Sequence, residues 1–491
     1  MKTSSCYPWQ RTATYVLCAL LILRLLTMWV IPLTDTTEAR YAEIARKMLE
    51  TGNWVTPQHD YGVPFWAKPP LSTWLSAASM GLFGVNELAA RLPSLLLSLV
   101  VLGLTAQLAR RRNGSEAATA TALILGSCVL FLGAAGTVMT DPALLFCVSL
   151  SQIAFWYTQT EQGANRQRWG YLFFVGLGLG LLAKGPLAIV LVGMPIFMWV
   201  LLRRQWRALW QRLPWISGTV LMLAIALPWY LWAEQRTPGF LNYFIMGEHV
   251  SRFLDPGWKG DKYGFAHATP HGMIWLYTLG AIFPWSLAML GWLAKHRTML
   301  PTLRRSDDGW LLYITLWTLM TLLFFTISGN IIFPYSLPML PGCALLLAEL
   351  WHRTRTAGSP SRLPWIAAVS GLLLLLVSGL NATHPERYFR TQKAVIAAWQ
   401  AQHPTRGSAL VYWDSRREFS AEFYSGGRAK TTQDASKLNA LLAGHPGSYI
   451  VLDARERHSL PASVLAQFDD IGHFRVMGDT MTLLREQGTT R

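Results

Sequence analysis

Residues 34–72 read TDTTEARYAEIARKMLETGNWVTPQHDYGVPFWAKPPLS and lie between two long apolar runs. The ionisable and aromatic side chains of this segment include Asp35, Glu38, Arg40, Glu43, Arg46, Lys47, Trp54, Phe65, Trp66 and Lys68. A plain connector between membrane helices has no need of so many such groups, and ionisable residues at membrane depth are functional candidates by default. We therefore expect the segment to lie at the outer face of a membrane and to form one wall of an active site.

The composition of the 491-residue chain is that of a membrane protein. Hydrophobic residues make up 52% and charged residues 14%, whereas about 25% of the residues of a typical soluble chain are charged. The 23 Trp and 26 Pro agree with this, because Trp favours the membrane–water boundary and Pro is tolerated in membrane helices. We attribute the net charge of +16 to the cytoplasmic Lys and Arg that orient membrane helices, and we expect no nucleic acid as a partner.

Eleven apolar segments are candidates to span a bilayer, which takes about 17–25 residues. They lie at approximately 13–33, 92–109, 117–138, 142–158, 169–183, 186–202, 214–232, 272–293, 309–328, 332–350 and 363–380. The first is longer than the core of a signal peptide, which has about 7–15 residues, so we expect an uncleaved anchor. Lys184-Gly185-Pro186 separates two segments and is compatible with either a turn between two helices or a kink within one.

The charges of the loops favour a turn at Lys184. Alternate loops carry clustered cations, at residues 110–112, 166–168, 203–212, 295–305 and 353–362. The positive-inside rule places such loops in the cytoplasm, and all five reach it only if the chain turns round at Lys184. The sequence therefore predicts eleven spans, with the N-terminus inside and the C-terminus outside. We expect a mainly α-helical, polytopic membrane bundle formed by residues 1–381, with an external loop at residues 34–91.

The remaining loops, all external in this topology, hold the side chains suited to catalysis or ligand binding. They contain Asp35, Glu38, Arg40, Lys68, Asp141, Lys184, Glu248, His249, Arg252 and the stretch from Asn330 to Tyr335. The topology is derived from the cations of the cytoplasmic loops and not from the charges of these residues. Because all of them nevertheless fall on the external side, the sequence predicts an externally facing site. Arg24 lies inside the first span, and we expect it to snorkel or to pair within the bundle.

Residues 382–491 have the composition of a soluble domain. The stretches SALVYWD, GSYIVLD and FRVMGDTMTLL alternate as strands do, and residues 390–402 and 434–442 have helical patterns. We therefore predict a small α/β domain on the external, periplasmic side of the membrane. It carries no motif that we can assign.

Several of the candidate residues also have a purely structural interpretation. Asp35 and Glu38 have the spacing of a capping box at the start of a helix, and Glu43 and Lys47 on that helix form an ordinary i,i+4 pair. Asp141 before a proline is a common helix start. The structural roles are compatible with catalysis, because an exposed helix start also presents its acids.

Together the ionisable residues indicate that an anion is bound at the membrane surface. The four cations that would hold a phosphate are Arg40, Lys68, Lys184 and Arg252. A cation about 4 Å from a phosphate oxygen contributes on the order of 4 kcal/mol at an effective dielectric constant near 20, and such cations stabilise a leaving phosphate. The acids that could act as general base toward an acceptor hydroxyl are Asp35, Glu38 and Asp141. The phosphate would belong to a lipid whose tail stays in the bilayer.

The motifs of the chain occur in a recognisable order. DTTEARYAEIARKMLETGNWVTP and PFWAKPPLSTW are followed by TVMTDPALLF, LLAKGP, GEHVSRF and SGNIIFPYSLPMLP. In this order they resemble the bacterial aminoarabinose transferases, which modify lipid A and are related to protein O-mannosyltransferases. The resemblance covers roughly residues 10–350 and is most specific in the first loop.

The resemblance implies a GT-C glycosyltransferase of the bacterial inner membrane that takes its sugar from undecaprenyl phosphate on the periplasmic face. Aminoarabinose and lipid A are the implied sugar and acceptor. The family's acid-x-Arg-Tyr motif matches Glu38, Arg40 and Tyr41. Lys68 matches the lysine before the paired prolines, and Asp141 the aspartate of the second loop. The positions that match residues associated with lipid-phosphate or metal binding are Lys184, His249 and Tyr335.

The sequence departs from the family pattern at two positions. Family members usually have adjacent Asp and Glu at the helix start, whereas Thr37 precedes Glu38 here, so the sequence leaves open which acid is the base. They also often have Glu where this chain has Ala67. If that Glu shares a divalent metal with the histidine, His249 alone makes a poor site, and both the metal and any other cofactor stay open. The residues that could replace the missing ligand are His59 and Asp60.

Other functions stay open at this point. The acceptor could be another glycan or a protein hydroxyl. A lipid or sugar transporter or flippase would carry broken helices near the bilayer midplane and internal repeats, whereas here the charged candidates lie at span ends and no repeat is apparent. A non-catalytic scaffold would keep its function when these charged candidates are replaced by alanine.

Overall fold

The computed structural model describes residues 7–264, 267–296, 308–355 and 361–488. Most of these residues are α-helical, and one small α/β unit follows the last long helix. Arg297, Arg304 and Arg305, three cations of a predicted cytoplasmic loop, lie outside the described residues.

Helices dominate the chain up to residue 236. They are α1 (Pro8–Val30), α2 (Thr37–Thr51), α3 (Leu71–Phe83), α4 (Glu87–Ser127), α5 (Val129–Ala134), α6 (Asp141–Thr160), α7 (Gly163–Lys184), α8 (Leu187–Arg203), α9 (Trp206–Arg212) and α10 (Trp215–Arg236). Strands β1 (Gln58–Asp60) and β2 (Val63–Pro64) form a small hairpin after α2. Helix α6 is almost wholly buried and packs against α4, α7 and α8, so it forms the centre of the bundle.

The second half of the bundle is more broken. Its elements are α11 (Phe240–Asn242), a π-helix (Tyr243–Ser251), α12 (Arg252–Leu254), α13 (Met273–Ala281), α14 (Trp285–His296), α15 (Trp310–Thr326), a 3₁₀ helix (Phe333–Met339), α16 (Leu340–Thr354) and α17 (Leu363–Thr383). The three short helical pieces between residues 240 and 254 follow one another without a gap, and they position several of the predicted site residues.

Each of the eleven predicted apolar segments lies on these helices. By length and composition, five of the described helices can cross a membrane, or six if the bent pair α13 and α14 forms one span; α8 and α15 are shorter apolar helices. Helices α1, α10 and α17 expose many large apolar side chains, as lipid-facing helices do. The protein is a polytopic membrane protein.

Both predicted helix breaks, at residues 110–116 and at Lys184-Gly185-Pro186, are present in the structure. The segments predicted at 92–109 and 117–138 lie largely on α4, which is bent at Asn113 and Gly114. Cys128 then leaves the helical conformation, with ψ of 128°, so the second segment ends earlier than predicted and α5 follows. The chain does turn after Lys184, where Gly185 with φ of 69° separates α7 from α8. The prediction of two helices there is confirmed.

The capping box predicted at the start of α2 is absent. The N-cap residue of this helix is Thr36, and its side chain makes no capping hydrogen bond. Asp35 instead accepts hydrogen bonds from the backbone N–H and the hydroxyl of Ser420, and Glu38 forms an ion pair with Arg91. The local prediction was wrong because both carboxylates have partners far away in the sequence.

The C-terminal unit has a five-stranded sheet in the order β4-β3-β5-β7-β6. The strands are β3 (Leu410–Trp413), β4 (Ala429–Thr432), β5 (Tyr449–Asp453), β6 (Phe468–Val476) and β7 (Asp479–Glu486). Strands β4, β3 and β5 are parallel, and β7 is antiparallel to both β5 and β6. The helices are α18 (Pro385–Tyr388), α19 (Lys393–Ala401), α20 (Phe419–Tyr424), α21 (Ala435–Leu442) and α22 (Ala462–Leu465).

One strand prediction needs correction. FRVMGDTMTLL was predicted as a single strand, but it contains the end of β6, a turn and most of β7. Met477 and Gly478 form that turn with φ of 48° and 91°. Two residues with positive φ suit the tight connection of a β-hairpin.

The C-terminal unit packs on the first external loop through α20 and α2. The Nζ of Lys47 lies 2.7 Å from a carboxylate oxygen of Glu422 and 3.4 Å from one of Glu43. The hydroxyl of Tyr424 accepts a hydrogen bond from the backbone N–H of Leu33 at 2.8 Å. The predicted pair of Glu43 and Lys47 is confirmed, but both side chains are fully buried and the pair belongs to this interface.

Candidate active site

A cavity of about 310 Å³ lies between the end of the first external loop, the turn from α7 to α8, the π-helix and the residues that follow α15. Its ionisable and hydrogen-bonding lining residues are Lys68, Lys184, Glu248, His249, Arg252, Ser328, Asn330 and Tyr335. Apolar side chains of α8 and α15 complete the wall. The structure therefore brings five of the predicted site residues to one place: Lys68, Lys184, His249, Arg252 and Tyr335.

Lys68 reaches the cavity from a well-anchored part of the first external loop. The indole N–H of Trp66 donates a hydrogen bond to the hydroxyl of Thr237 at 3.1 Å. The hydroxyl of Tyr263 lies 3.2 Å from the backbone nitrogen of Trp66 and 2.8 Å from the carbonyl oxygen of Pro64. These contacts tie the residues before Lys68 to the segment between α10 and α13.

Gly185 allows the turn between α7 and α8 to lie against the π-helix. A Cβ at this position would lie only 2.7 Å from a ring carbon of Phe244, so a larger residue would push the two segments apart. The close approach puts Nε2 of His249 at 3.0 Å from the carbonyl oxygen of Lys184. Lys184 is the last residue of α7, where the helix dipole favours a cation.

The carboxylate of Glu248 is the centre of the charged groups in the cavity. It accepts hydrogen bonds from Nζ of Lys68 at 2.8 Å and from the guanidinium of Arg252 at 3.2 Å. Burial raises the pKa of Glu248, but the two cations lower it more, so the pKa lies below the usual value. Burial alone would lower the pKa of Lys68. The carboxylate of Glu248 raises that pKa by more, so it lies above the usual value. All three groups therefore carry their charges.

Two donors of the cavity residues have no acceptor among the described residues. They are Nε of Arg252 and Nδ2 of Asn330, and both atoms are buried. A buried donor without a partner costs about 1–3 kcal/mol. A ligand with acceptor oxygens would remove this cost, so these atoms indicate the kind of group that the cavity is suited to bind.

Asp141 is connected to the cavity through Lys184. The Nζ of Lys184 lies 2.7 Å from Oδ1 of Asp141, and both side chains are buried. The same ammonium group lies 4.9 Å from the ring centroid of Tyr335, within the range of a cation–π contact. Asp141 thus fixes the position of a cavity cation, although it is not a lining residue itself.

Asp35 and Glu38 lie outside the cavity. Arg91 binds Glu38 with two hydrogen bonds of 2.8 Å, one to each carboxylate oxygen. Burial, and to a smaller extent the carboxylate of Glu418, raise the pKa of Asp35 to about 8, although hydrogen bonds from Ser420 oppose the shift. Asp35 thus connects the start of the first external loop to Ser420, and Glu38 connects α2 to Arg91. Neither carboxylate contacts a cation of the cavity.

Arg40 and Tyr41 support the cavity from α2 without lining it. The guanidinium of Arg40 donates a hydrogen bond to the carbonyl oxygen of Tyr263 and lies 5.5 Å from the ring centroid of Tyr41. The ring of Tyr41 contacts that of Phe65 at a centroid distance of 6.0 Å, and its phenol interacts electrostatically with Lys68. These two residues therefore position the loop that carries Lys68.

The predicted metal ligand His249 does not have the surroundings of a metal site. Its Nδ1 lies 2.8 Å from the carbonyl oxygen of Phe244 and its Nε2 lies 3.0 Å from that of Lys184, so both ring nitrogens face backbone carbonyl oxygens, and the neutral ring donates to one of them. Across the described residues, no group of three or more His, Cys, Asp or Glu side chains could hold a metal ion. His59 stacks on Phe65, which places it in the aromatic cluster of the first loop. These residues do not fit a divalent metal.

Three residues that matter here have no specific role in the sequence-based prediction: it places Glu248 and Asn330 in external loops only, and it does not single out Arg91. Glu248 and Asn330 line the cavity, and Arg91 holds Glu38. The i,i+4 spacing of Glu248 and Arg252 was a usable signal, since such pairs meet on one helix face. Arg91 stands at the edge of an apolar segment, where an isolated cation needs a partner. Nothing in the sequence pairs it with Glu38.

Comparison with known proteins finds related membrane glycosyltransferases. The sequence profile of the dolichyl-phosphate-mannose-protein mannosyltransferases matches residues 9–244. An undecaprenyl phosphate-α-4-amino-4-deoxy-L-arabinose arabinosyl transferase of Pseudomonas fluorescens (strain Pf0-1) is 32% identical over 343 residues, or 67% of this chain. Its counterpart in Enterobacter sp. (strain 638) is 28% identical over 412 residues, or 82% of this chain. This chain is similar to these membrane glycosyltransferases over two thirds or more of its length.

The fold of the family is shared as well. The crystal structure of ArnT from Cupriavidus metallidurans bound to undecaprenyl phosphate has a TM-score of 0.78 at 20% identity, and the match covers 96% of this chain and 97% of that one. The oligosaccharyltransferase AglB of Archaeoglobus fulgidus matches with a TM-score of 0.51 at 11% identity over 99% of this chain and 75% of that one. The chain therefore has the GT-C fold. The matched region spans 56% of the Pseudomonas relative and 68% of the Enterobacter relative.

Proposed function

We propose that this protein transfers a sugar from undecaprenyl phosphate to an acceptor at the periplasmic face of the bacterial inner membrane. The names of the relatives support an undecaprenyl-phosphate-linked sugar as donor. One observation in the structure carries the proposal: three cations and two unpartnered buried donors surround a single cavity. Aminoarabinose and lipid A are the leading pair of sugar and acceptor, while another glycan or a protein hydroxyl is the alternative acceptor.

The proposal includes a topology. Residues 1–381 would form a catalytic membrane domain of eleven spans with a cytoplasmic N-terminus, and residues 382–491 a periplasmic domain. The alternation of cationic loops supports this arrangement. The packing of α20 on α2 agrees with it, because that contact requires the first external loop and the C-terminal unit to lie on the same side.

The cavity cations would bind the phosphate of the lipid. Asp141 holds Lys184 and Asp261 holds Arg252, the latter at 3.0 Å, so these cations keep their positions before a ligand arrives. Nε of Arg252 and Nδ2 of Asn330 would donate to phosphate oxygens. When the bond between the sugar and the phosphate breaks, negative charge grows on the phosphate, and cations that are already in place stabilise it.

Asp141 is the best placed of the predicted acids to receive the proton of an acceptor hydroxyl. It is the one among the three that contacts a cavity residue, through the short ion pair with Lys184. The new bond would form between the sugar and the acceptor oxygen, whose proton passes to the carboxylate. We assign Asp35 and Glu38 to structural roles, because Ser420 and Arg91 hold them and neither contacts a residue that lines the cavity.

Binding of undecaprenyl phosphate to the purified protein tests the phosphate site. Lys68→Met removes a cavity cation, and we expect a loss of affinity of at least about tenfold, which corresponds to one charged hydrogen bond. Lys259→Met is the matched control, because Lys259 is an exposed cation of the segment between α10 and α13 that does not line the cavity. Equal affinities of the Lys68→Met variant and the unchanged protein would refute the site.

A further inference from the structure

A second candidate site begins at Arg24, which does not line the cavity that holds the catalytic candidates. Arg24 lies within the apolar helix α1, and its side chain is buried, with 7% exposure. Its guanidinium donates to the carbonyl oxygen of Gly133 at 2.7 Å and makes weaker contacts with the hydroxyls of Thr27 and Thr137 at 3.3 and 3.5 Å. Its Nε has no acceptor. Within the described ranges, no carboxylate forms an ion pair with it.

The backbone around Arg24 is shaped to admit this side chain. A Cβ on Gly136 would lie 2.1 Å from Nε of Arg24, so only glycine leaves room for the guanidinium there. The contacts with Thr27 and Thr137 turn the guanidinium toward the end of α1 that leads into the first external loop. Arg24 precedes the last residue of α1 by six positions, or about 9 Å along the helix axis.

An apolar groove of about 160 Å³ starts at Arg24 and runs between α1, α4 and α5. The side chains that define it include Leu17, Leu21, Leu95, Leu99, Leu102 and Leu132. Leu99 is 37% exposed, and Leu96, its neighbour outside the groove, is 52% exposed. The groove thus opens on a surface of the bundle that faces lipid.

We propose that this groove binds one acyl chain of an anionic glycerophospholipid of the bilayer, with the lipid phosphate at Arg24. The argument rests on charge complementarity. A membrane-embedded cation is costly unless it is paired. Arg24 has neutral oxygen partners and a free Nε, and the carboxylate of Glu38, which acts on it electrostatically, is already ion-paired with Arg91. A phosphate diester supplies the missing negative charge, and its acyl chain fills an apolar channel that begins at the same residue.

The inference depends on the membrane orientation proposed above but not on the reaction. The groove is formed by α1, α4 and α5, whereas the cavity is lined by residues of the first loop, the turn between α7 and α8, the π-helix and the residues near α15. No residue lines both. The expected occupant is therefore a bound lipid that stabilises the packing of α1, rather than the donor or the acceptor.

Native mass spectrometry of the full-length protein, released from vesicles that contain phosphatidylglycerol and phosphatidylcholine, tests the site. We expect one retained phosphatidylglycerol per protein. Arg24→Gln should weaken its retention about fivefold, the effect of one cation near a lipid phosphate. Leu99→Trp fills the groove without touching Arg24 and should remove the lipid, whereas the matched control Leu96→Trp on the adjacent outer surface should retain it. Arg24→Lys should keep most of the binding.

Three results would overturn the proposal: equal retention in the Leu99→Trp and Leu96→Trp variants, unchanged retention in Arg24→Gln, or equal retention of phosphatidylcholine. Displacement of phosphatidylglycerol by a phosphorylated glycolipid at matched concentration would show that the groove belongs to the acceptor instead. The retention of phosphatidylglycerol is measured without any transfer reaction. The proposed transferase function is tested separately, by binding of undecaprenyl phosphate and by formation of the product, so either proposal can fail without the other.

Discussion

At the scale of single residues, the ion pair of Asp141 and Lys184 has the greatest influence on the proposed site. Both side chains are buried near the end of α7, and the ammonium group reaches the cavity. A buried pair contributes little net stability compared with apolar residues, but removing one partner leaves an uncompensated buried charge. The main role of the pair is therefore to fix the position of the Lys184 ammonium group.

We expect Asp141→Asn to destabilise the protein by about 3–5 kcal/mol, since Lys184 then keeps its charge without a counter-ion. Asp141→Asn combined with Lys184→Met should recover part of that loss, because no buried charge remains. Thermal unfolding of the purified variants in detergent measures both. If the double variant is no more stable than Asp141→Asn alone, the pair does not act as a buried charge pair.

The titration of Asp35 predicts a pH dependence of stability. Burial and Glu418 raise the pKa of Asp35 to about 8 in the folded protein, whereas an unfolded aspartate has a pKa of about 3.9. The folded state therefore holds a proton that the unfolded state releases, and this contribution to stability falls as the pH rises from about 4 to about 8. Asp35→Asn should flatten the dependence, measured as unfolding midpoint against pH. An equally steep profile in the variant would contradict the assignment.

Some of the residue-scale predictions could be made from the sequence. Lys68, Lys184 and Arg252 carry charges in predicted external loops, and such charges are visible without a structure. The partners of Asp35 and Glu38 could not be predicted, because Ser420 and Arg91 approach them only through tertiary packing. The capping interpretation used the local sequence alone and therefore failed.

At the scale of elements, α2 joins the membrane bundle to the C-terminal unit. It packs on α3 on one side and on α20 on the other. Its buried charges Glu43 and Lys47 belong to a cluster with Glu422, which Arg417 also contacts, so the interface depends on charge balance as well as apolar contact.

Lys47→Met should destabilise this interface by about 1–3 kcal/mol, because Glu422 and Glu43 lose a buried donor while Arg417 and Arg46 still pair with them. Lys430→Met is the control: Lys430 is partly exposed and lies 4.0 Å from Asp60, and we expect a cost of at most about 1 kcal/mol. Limited proteolysis and thermal unfolding report the two effects. Similar losses in both variants would argue against a buried charge cluster at the interface.

The elements were predictable where a strong pattern marks them. The charges of the loops predicted the turn after Lys184, and Gly185 provides it. The hairpin at Met477 and Gly478 was missed, because a two-residue turn inside an alternating stretch hardly disturbs the pattern. The π-helix that carries Glu248 and His249 has no reliable sequence signature, and its hydrogen-bond pattern is visible only in the structure.

At the scale of the whole molecule, the first external loop contacts the C-terminal unit and also contributes to the cavity that holds the phosphate-binding candidates. The C-terminal unit packs on α2 of the first external loop. Lys68, which follows α2 in the same loop, lines the cavity. Composition alone predicted the membrane bundle and the soluble unit. The position of the cavity could not be predicted, because it depends on how the π-helix packs against the turn at Gly185.

Mass spectrometry of the total lipids of cells that express this protein tests the transferase proposal most directly. We predict that a lipid acceptor gains the mass of one sugar in cells with the unchanged protein and in cells with the Lys259→Met variant, and that it does not gain it with Lys68→Met or without the protein. Identical lipid profiles with and without the expressed protein would contradict transfer to a lipid, and the proposed pairing of aminoarabinose with lipid A would be wrong.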